Sequence, residues 1–140
     1  MGYIKKMKNK REKIYSKFDG KCAYCGSNID ISEMHVDHII PKSTFSFHME
    51  TKHKIPKFLE HLKVADVNHQ DNLFPTCSVC NLYKLNFSLE DFRTQLSEII
   101  DYLENRSRRY RLAKRYNFVE TKEIKPIKFY FEHEEENRNN

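Results

Sequence analysis

The chain contains no tryptophan, so its bulky core material has to come from ten Phe and eight Tyr. No stretch reaches the roughly 18 apolar residues that a bilayer-crossing helix needs. The basic N-terminus is followed by no apolar signal-peptide core. A soluble, cytoplasmic protein that does not meet a membrane is therefore expected. No internal repeat is visible, which excludes a solenoid or propeller array. Cysteine is scarce, with four in 140 residues, and in a reducing compartment four cysteines point to a metal rather than to disulfides.

What is present fits one domain over residues 1–140, with a peripheral helix or arm. Apolar residues make up 39% and charged residues 32%, so the core must be modest and a metal staple would help it fold. The net charge is +5, and the last nine residues hold four Glu against one Arg, so residues 1–131 carry +8. Lys5, Lys6, Lys8, Lys10, Arg11, Lys13, Lys17 and Lys21 crowd the beginning. A second basic run comprises Arg106, Arg108, Arg109, Arg111, Lys114 and Arg115. Such an excess favours a polyanion, because neutralising phosphates releases condensed counterions. Solvated helix faces would give the same pattern, so charge alone does not decide.

Residues 4–18 predict a helix, with Ile4, Met7, Ile14 and Phe18 as its buried positions, stopped at Asp19-Gly20. Residues 33–40, rich in Ile and Val, predict a strand halted by Pro41. Residues 43–68 are polar and carry His48, His53 and His61. They read as a surface insertion or lid with one short helix after Pro56. Ser88, with Asp91 three positions on, opens a helix whose core stripe is Phe92, Leu96, Ile99 or Ile100, and Leu103. A basic helix follows over about 106–116. Ile127, Phe129 and Phe131 alternate with Lys128 and Tyr130, predicting a half-buried strand, and residues 132–140 predict a flexible acidic tail.

Cys22-x-x-Cys25 and Cys77-x-x-Cys80 use every cysteine. Two intervening residues let a tight turn present both sulfurs to one ion, and two such knuckles complete a tetrahedron suited to zinc. Disulfides or unrelated buried cysteines are the alternatives that the repeated spacing argues against. Fifty-one residues separate the knuckles, so the ion would clamp distant parts of the chain. A closed four-thiolate site leaves no place for water and would serve structure, not chemistry.

Around the knuckles lie His35-Val36-Asp37-His38-Ile39-Ile40-Pro41, then Asp71-Asn72-Leu73, then Cys80-Asn81-Leu82-Tyr83-Lys84. Over roughly residues 10–88 this order resembles the HNH endonuclease family, in its branch with two Cys-x-x-Cys knuckles. The resemblance implies an α+β fold: a ββα-metal (His-Me finger) core of about residues 10–88, clamped by structural Zn²⁺ and flanked by additional helices in an extension over 89–131. It implies DNA as partner and a phosphodiester hydrolase leaving 5′-phosphate and 3′-hydroxyl ends. His38 is then the general base, an imidazole being able to take a proton at neutral pH. Asp37 is a ligand of the catalytic ion, Asn72 orients the general-base strand or ring, and Asn81 is a second ligand.

Many relatives have His where this chain has Asn81, and the amide oxygen would favour Mg²⁺ or Mn²⁺. Lys84, one turn beyond Asn81, and Lys42 are the expected phosphate contacts. His35, two residues from Asp37 on one strand face, reads as peripheral, and His48, His53, His61 and His69 read as surface or loop residues. The rival expectation is a non-catalytic zinc-containing nucleic-acid-binding module. A homodimer, or a place in a phage or mobile-element assembly, is left open.

Overall fold

A computed structural model describes residues 2–140, with side chains from residue 9 onward. The expected core positions Ile4 and Met7, and Lys5, Lys6 and Lys8, lie outside the described side chains. The chain divides into two compact units, Met1–Leu89 with Lys128–Asn140, and Glu90–Ile127.

In the first unit, helix α1 (Gly2–Ser16) buries Ile14 and ends where Asp19 and Gly20 take positive φ values of 52° and 78°. Strand β1 (His35–His38) pairs antiparallel with β2 (Leu73–Thr76), setting Asp37 opposite Phe74 and His38 opposite Leu73. Helix α3 (Ser78–Lys84) follows β2 directly and packs on β1. Two strands and the helix after them give the α+β, ββα arrangement. Between the strands runs helix α2 (Phe45–Thr51), followed by single 3-10 turns at Lys57–Leu59, Val64–Asp66 and Gln70–Asn72.

Aromatic rings do the work that tryptophan cannot. Phe74 lies at the centre, 4.9 Å from Phe131, 5.4 Å from Phe18 and 5.9 Å from Tyr24 between ring centroids. Edge-to-face packing of this kind adds to the area each ring buries.

The structure corrects several of these expectations. The 43–68 segment is not a surface excursion: Phe45, His48, Met49, Leu59 and Leu62 are buried. His48 is therefore an interior residue, its Nδ1 bonded to the His53 carbonyl at 2.6 Å. The helical period of α2 is short, and polar neighbours on its outer face mask it in the sequence.

The alternation at 127–131 is not a strand, and most of the acidic end is helical. Phe129 caps helix α7 (Tyr130–Asn139), and the Glu132 carboxylate accepts from the Phe129 N–H at 2.8 Å. Phe129 and Phe131 are both buried, but through a capped helix start that a Phe at the cap position conceals. Glu132 in that first turn suits the helix dipole.

In the second unit the single stripe expected after Ser88 breaks at Glu98, giving helices α4 (Leu89–Ser97) and α5 (Ile99–Arg106). The basic helix is α6 (Arg108–Arg115), capped by the Ser107 hydroxyl, which accepts from the Tyr110 N–H. Lys114 pairs with Glu104, and Arg111 donates to the Glu104 carbonyl, tying α6 to α5. Among the described residues no helix is long and apolar enough to cross a membrane.

Candidate metal centre and nuclease site

The four cysteines, read as two knuckles 51 residues apart in sequence, come together. Their sulfurs all lie within 4.8 Å of one another, and none forms a disulfide. Cys25 and Cys77 Sγ are 3.8 Å apart, and a tetrahedral ion with metal–sulfur bonds of about 2.3 Å requires about that spacing.

Local structure explains the convergence. The first knuckle closes through Gly26 N–H to Cys22 O at 2.9 Å, with Gly26 at φ +75°. The Ala23 N–H donates to Pro75 O at 2.9 Å, which fixes the knuckle against β2. The second knuckle opens α3: Cys77 is its cap, and its sulfur accepts from the Cys80 N–H at 3.4 Å. A hydrogen bond from Cys80 lowers the Cys22 thiol to about 4, while the same bond pushes Cys80 up. Four sulfurs this close hold a metal ion most readily as thiolates, whose mutual repulsion the ion cancels.

Next to this centre β1 and α3 face each other in two rungs. The inner rung joins Asp37 to Lys84, with Lys84 Nζ 3.1 Å from Asp37 Oδ2 and both side chains nearly inaccessible. Lys84 also donates to the His38 carbonyl at 3.0 Å. The Tyr24 hydroxyl donates to Asp37 Oδ2 at 2.5 Å. Burial pushes the Asp37 carboxyl up, while Lys84 and the Tyr24 hydroxyl pull it down. Burial pushes Lys84 below the usual ammonium range, opposed by Asp37. The outer rung joins Asn81 Nδ2 to His35 Nδ1 at 3.5 Å, on the solvent side.

His38 ends β1 on the opposite strand face from Asp37. Its ring is half-buried, not sealed in apolar packing, and its Nε2 lies 2.9 Å from Asn68 Oδ1. Asn72 is fully buried. Its Oδ1 accepts from Ile40 N–H at 2.9 Å, and its Nδ2 donates to Ile40 O at 3.2 Å and Val67 O at 3.0 Å. That amide therefore locks the exit of β1 to the loop that carries Asn68.

Lys84 requires a correction. It was expected to meet a phosphate, but it points inward and is fully buried, because the i to i+3 spacing that sets it beside Asn81 also sets it over Asp37. Lys42 is exposed. Asp37 and Asn81, expected to share an ion, have different partners, each bonded to its own rung. Local patterning does not point to Tyr24 or Asn68, since their bonds span 13 and 30 residues. In the sequence Tyr24 is one of the two residues between Cys22 and Cys25.

The family model for HNH endonuclease matches residues 22–55. That span holds the first knuckle and Asp37-His38, and the fold adds Asn72, the second knuckle and Asn81 to the same place. No curated protein and no solved structure matches the chain.

Proposed function

We propose that this protein is a metal-dependent DNA endonuclease, with His38 as general base, Asp37 and Asn81 as holders of a Mg²⁺ or Mn²⁺ ion, and Zn²⁺ in the four-cysteine centre. The observation that supports it best is the half-open imidazole of His38, held by Asn68 at the edge of a ββα unit beside the sulfur cluster. With Nε2–H given to Asn68, the ring presents a lone pair at Nδ1 that can take a proton from water. Asn72 keeps the strand end and the Asn68 loop in register, so the ring has one orientation.

Burial raises the Asp37 carboxyl, with Lys84 and the Tyr24 hydroxyl opposing the rise, and a carboxylate has about four lone-pair sites, so its contacts to Tyr24 and Lys84 leave it able to ligate. Together with the Asn81 amide it offers an oxygen donor set that fits a hard divalent ion. When bound, such an ion neutralises charge developing on the phosphate. Arg and Lys excess supplies the attraction to DNA.

The reaction is water attack on phosphorus: the new P–O bond forms as the water proton passes to His38 and the P–O3′ bond breaks, and the departing 3′-alkoxide takes a proton from solvent water to become the 3′-hydroxyl. The alternative is a zinc-containing module that binds nucleic acid without cutting it. The small exposure of Asp37, 5%, is the observation in its favour.

The test is plasmid nicking with Mg²⁺ or Mn²⁺ and with EDTA, in wild type and His38→Ala. We expect metal-dependent cleavage that His38→Ala reduces by about 10²–10⁴-fold, the worth of a positioned base, with unchanged zinc content. Binding without cleavage in any metal would establish the alternative.

A further inference from the structure

We propose that His35 is a third protein ligand of the catalytic cation, completing a site with Asn81 and the outer edge of the Asp37 carboxylate. The inference rests on the reading that this site takes a divalent ion, and it names a residue that the sequence pattern leaves at the periphery.

The inner rung of the β1–α3 ladder is closed. Lys84 approaches both carboxylate oxygens of Asp37, at 3.3 and 3.1 Å, and Tyr24 covers one of them. An ion therefore has to enter from the outer rung, and that rung consists of His35 and Asn81. His35 is exposed and shares its strand face with Asp37, two residues away. Among the described residues Asn81 is the only hydrogen-bond partner of its side chain.

That contact, 3.5 Å between Asn81 Nδ2 and His35 Nδ1, is long for a hydrogen bond. It is close to the separation of two neighbouring donors on one octahedral ion, about 3 Å for bonds of about 2.1 Å. Rotating the Asn81 amide by half a turn puts its oxygen where the nitrogen lies, with no other atom moved. The two residues then present an imidazole nitrogen and a carbonyl oxygen side by side, His35 lying on the strand face that also carries Asp37.

An imidazole in the donor set shifts preference from Mg²⁺ towards Mn²⁺ and later transition ions, because nitrogen donors suit those ions better than they suit magnesium. The Asn at position 81, by itself, pulls towards the harder ions.

The experiment loads zinc-replete, full-length protein with Mn²⁺ and records electron spin echo envelope modulation from directly bound ¹⁴N. Wild type should show imidazole modulation, His35→Gln should lose it, and His38→Ala should keep it. Mn²⁺ affinity should fall by at least about tenfold in His35→Gln, the loss caused by removing even an indirect partner of a ligand. Mg²⁺ affinity should fall less.

Unchanged modulation in His35→Gln, or Mn²⁺ bound to wild type with no ¹⁴N coupling, overturns the assignment and leaves the nuclease reading standing. Failure of wild type to bind Mn²⁺ at all overturns both. His35 is exposed, so the variant should keep wild-type zinc content and thermal midpoint. A fall in either would show a structural role and overturn the proposal.

Discussion

Asp37 shows how much one side chain can be asked to do. Buried between Tyr24 and Lys84, it is held by a charge-assisted bond and an ion pair, in a setting where an unpaired charge would be costly. Tyr24 is fully buried, and burial together with the neighbouring Asp37 charge raises its phenol well above the usual range.

That shift has a definite consequence for stability. Above pH 10 the unfolded chain releases the Tyr24 proton while the folded chain keeps it, so the folded state binds more protons and stability falls as pH rises. The contribution is fully present below about pH 10. Tyr24→Phe should therefore flatten the alkaline limb of the stability curve, by up to about 1.4 kcal/mol per pH unit. At neutral pH it should cost about 1.5–3 kcal/mol, the worth of a hydrogen bond to a charged group. Urea unfolding at pH 7 and between pH 10 and 11 measures both. The motif order in the sequence singles out Asp37, His38, Asn72 and Asn81, and the structure puts the first two on β1, Asn72 just before β2 and Asn81 on α3. The inward turn of Lys84 was not legible, since spacing tells which face of a helix a residue shares but not what lies across from it.

At the level of elements, the knuckles hold the site together. The first is pinned to β2 through Ala23 and Pro75 and to the start of α7, where Tyr130 N–H donates to Tyr24 O at 3.0 Å and Phe131 N–H to Ala23 O at 2.9 Å. The second is the first turn of α3, which carries Asn81 and Lys84. Loss of the ion should therefore loosen both the sheet and the helix that form the site. Cys77→Ser should release the metal and abolish cooperative thermal unfolding, since metal binding and folding are one free energy in sites of this type. Metal analysis beside circular dichroism reads both, and a folded, metal-free variant would contradict the expectation. The two short strands and α3 were foreseeable from their motifs. Helices α2 and α7 were not: α2 hides its buried positions among polar ones, and α7 begins at a Phe whose capping comes from Glu132.

On the scale of the whole molecule, the proposed function makes charge the means by which DNA would be met. Arg106, Arg108, Arg109 and Arg115 are exposed, and none forms a salt bridge among the described residues. If they neutralise phosphates, Arg108→Ala with Arg109→Ala should lower the slope of log affinity against log salt by about 2, roughly one per contact. The loss should be uniform across DNA sequences, because phosphate contacts carry no base information. Fluorescence anisotropy over a salt series measures it, and an unchanged slope would place the contact elsewhere.

By itself the sequence determined the chemistry on offer: four thiols in two equal pairs, an imidazole next to a carboxylate, two amides, and an excess of positive charge. These are properties of residue type and local spacing, and they survive any folding. Only the tertiary structure decided which of them meet. It closed the sulfurs to within 4.8 Å, gave Asp37 to Lys84 and His38 to Asn68, and left His35 facing Asn81. Those pairings are set by how α3 crosses β1 and how the insertion packs. Such contacts join residues tens of positions apart, which periodicity and propensity do not encode.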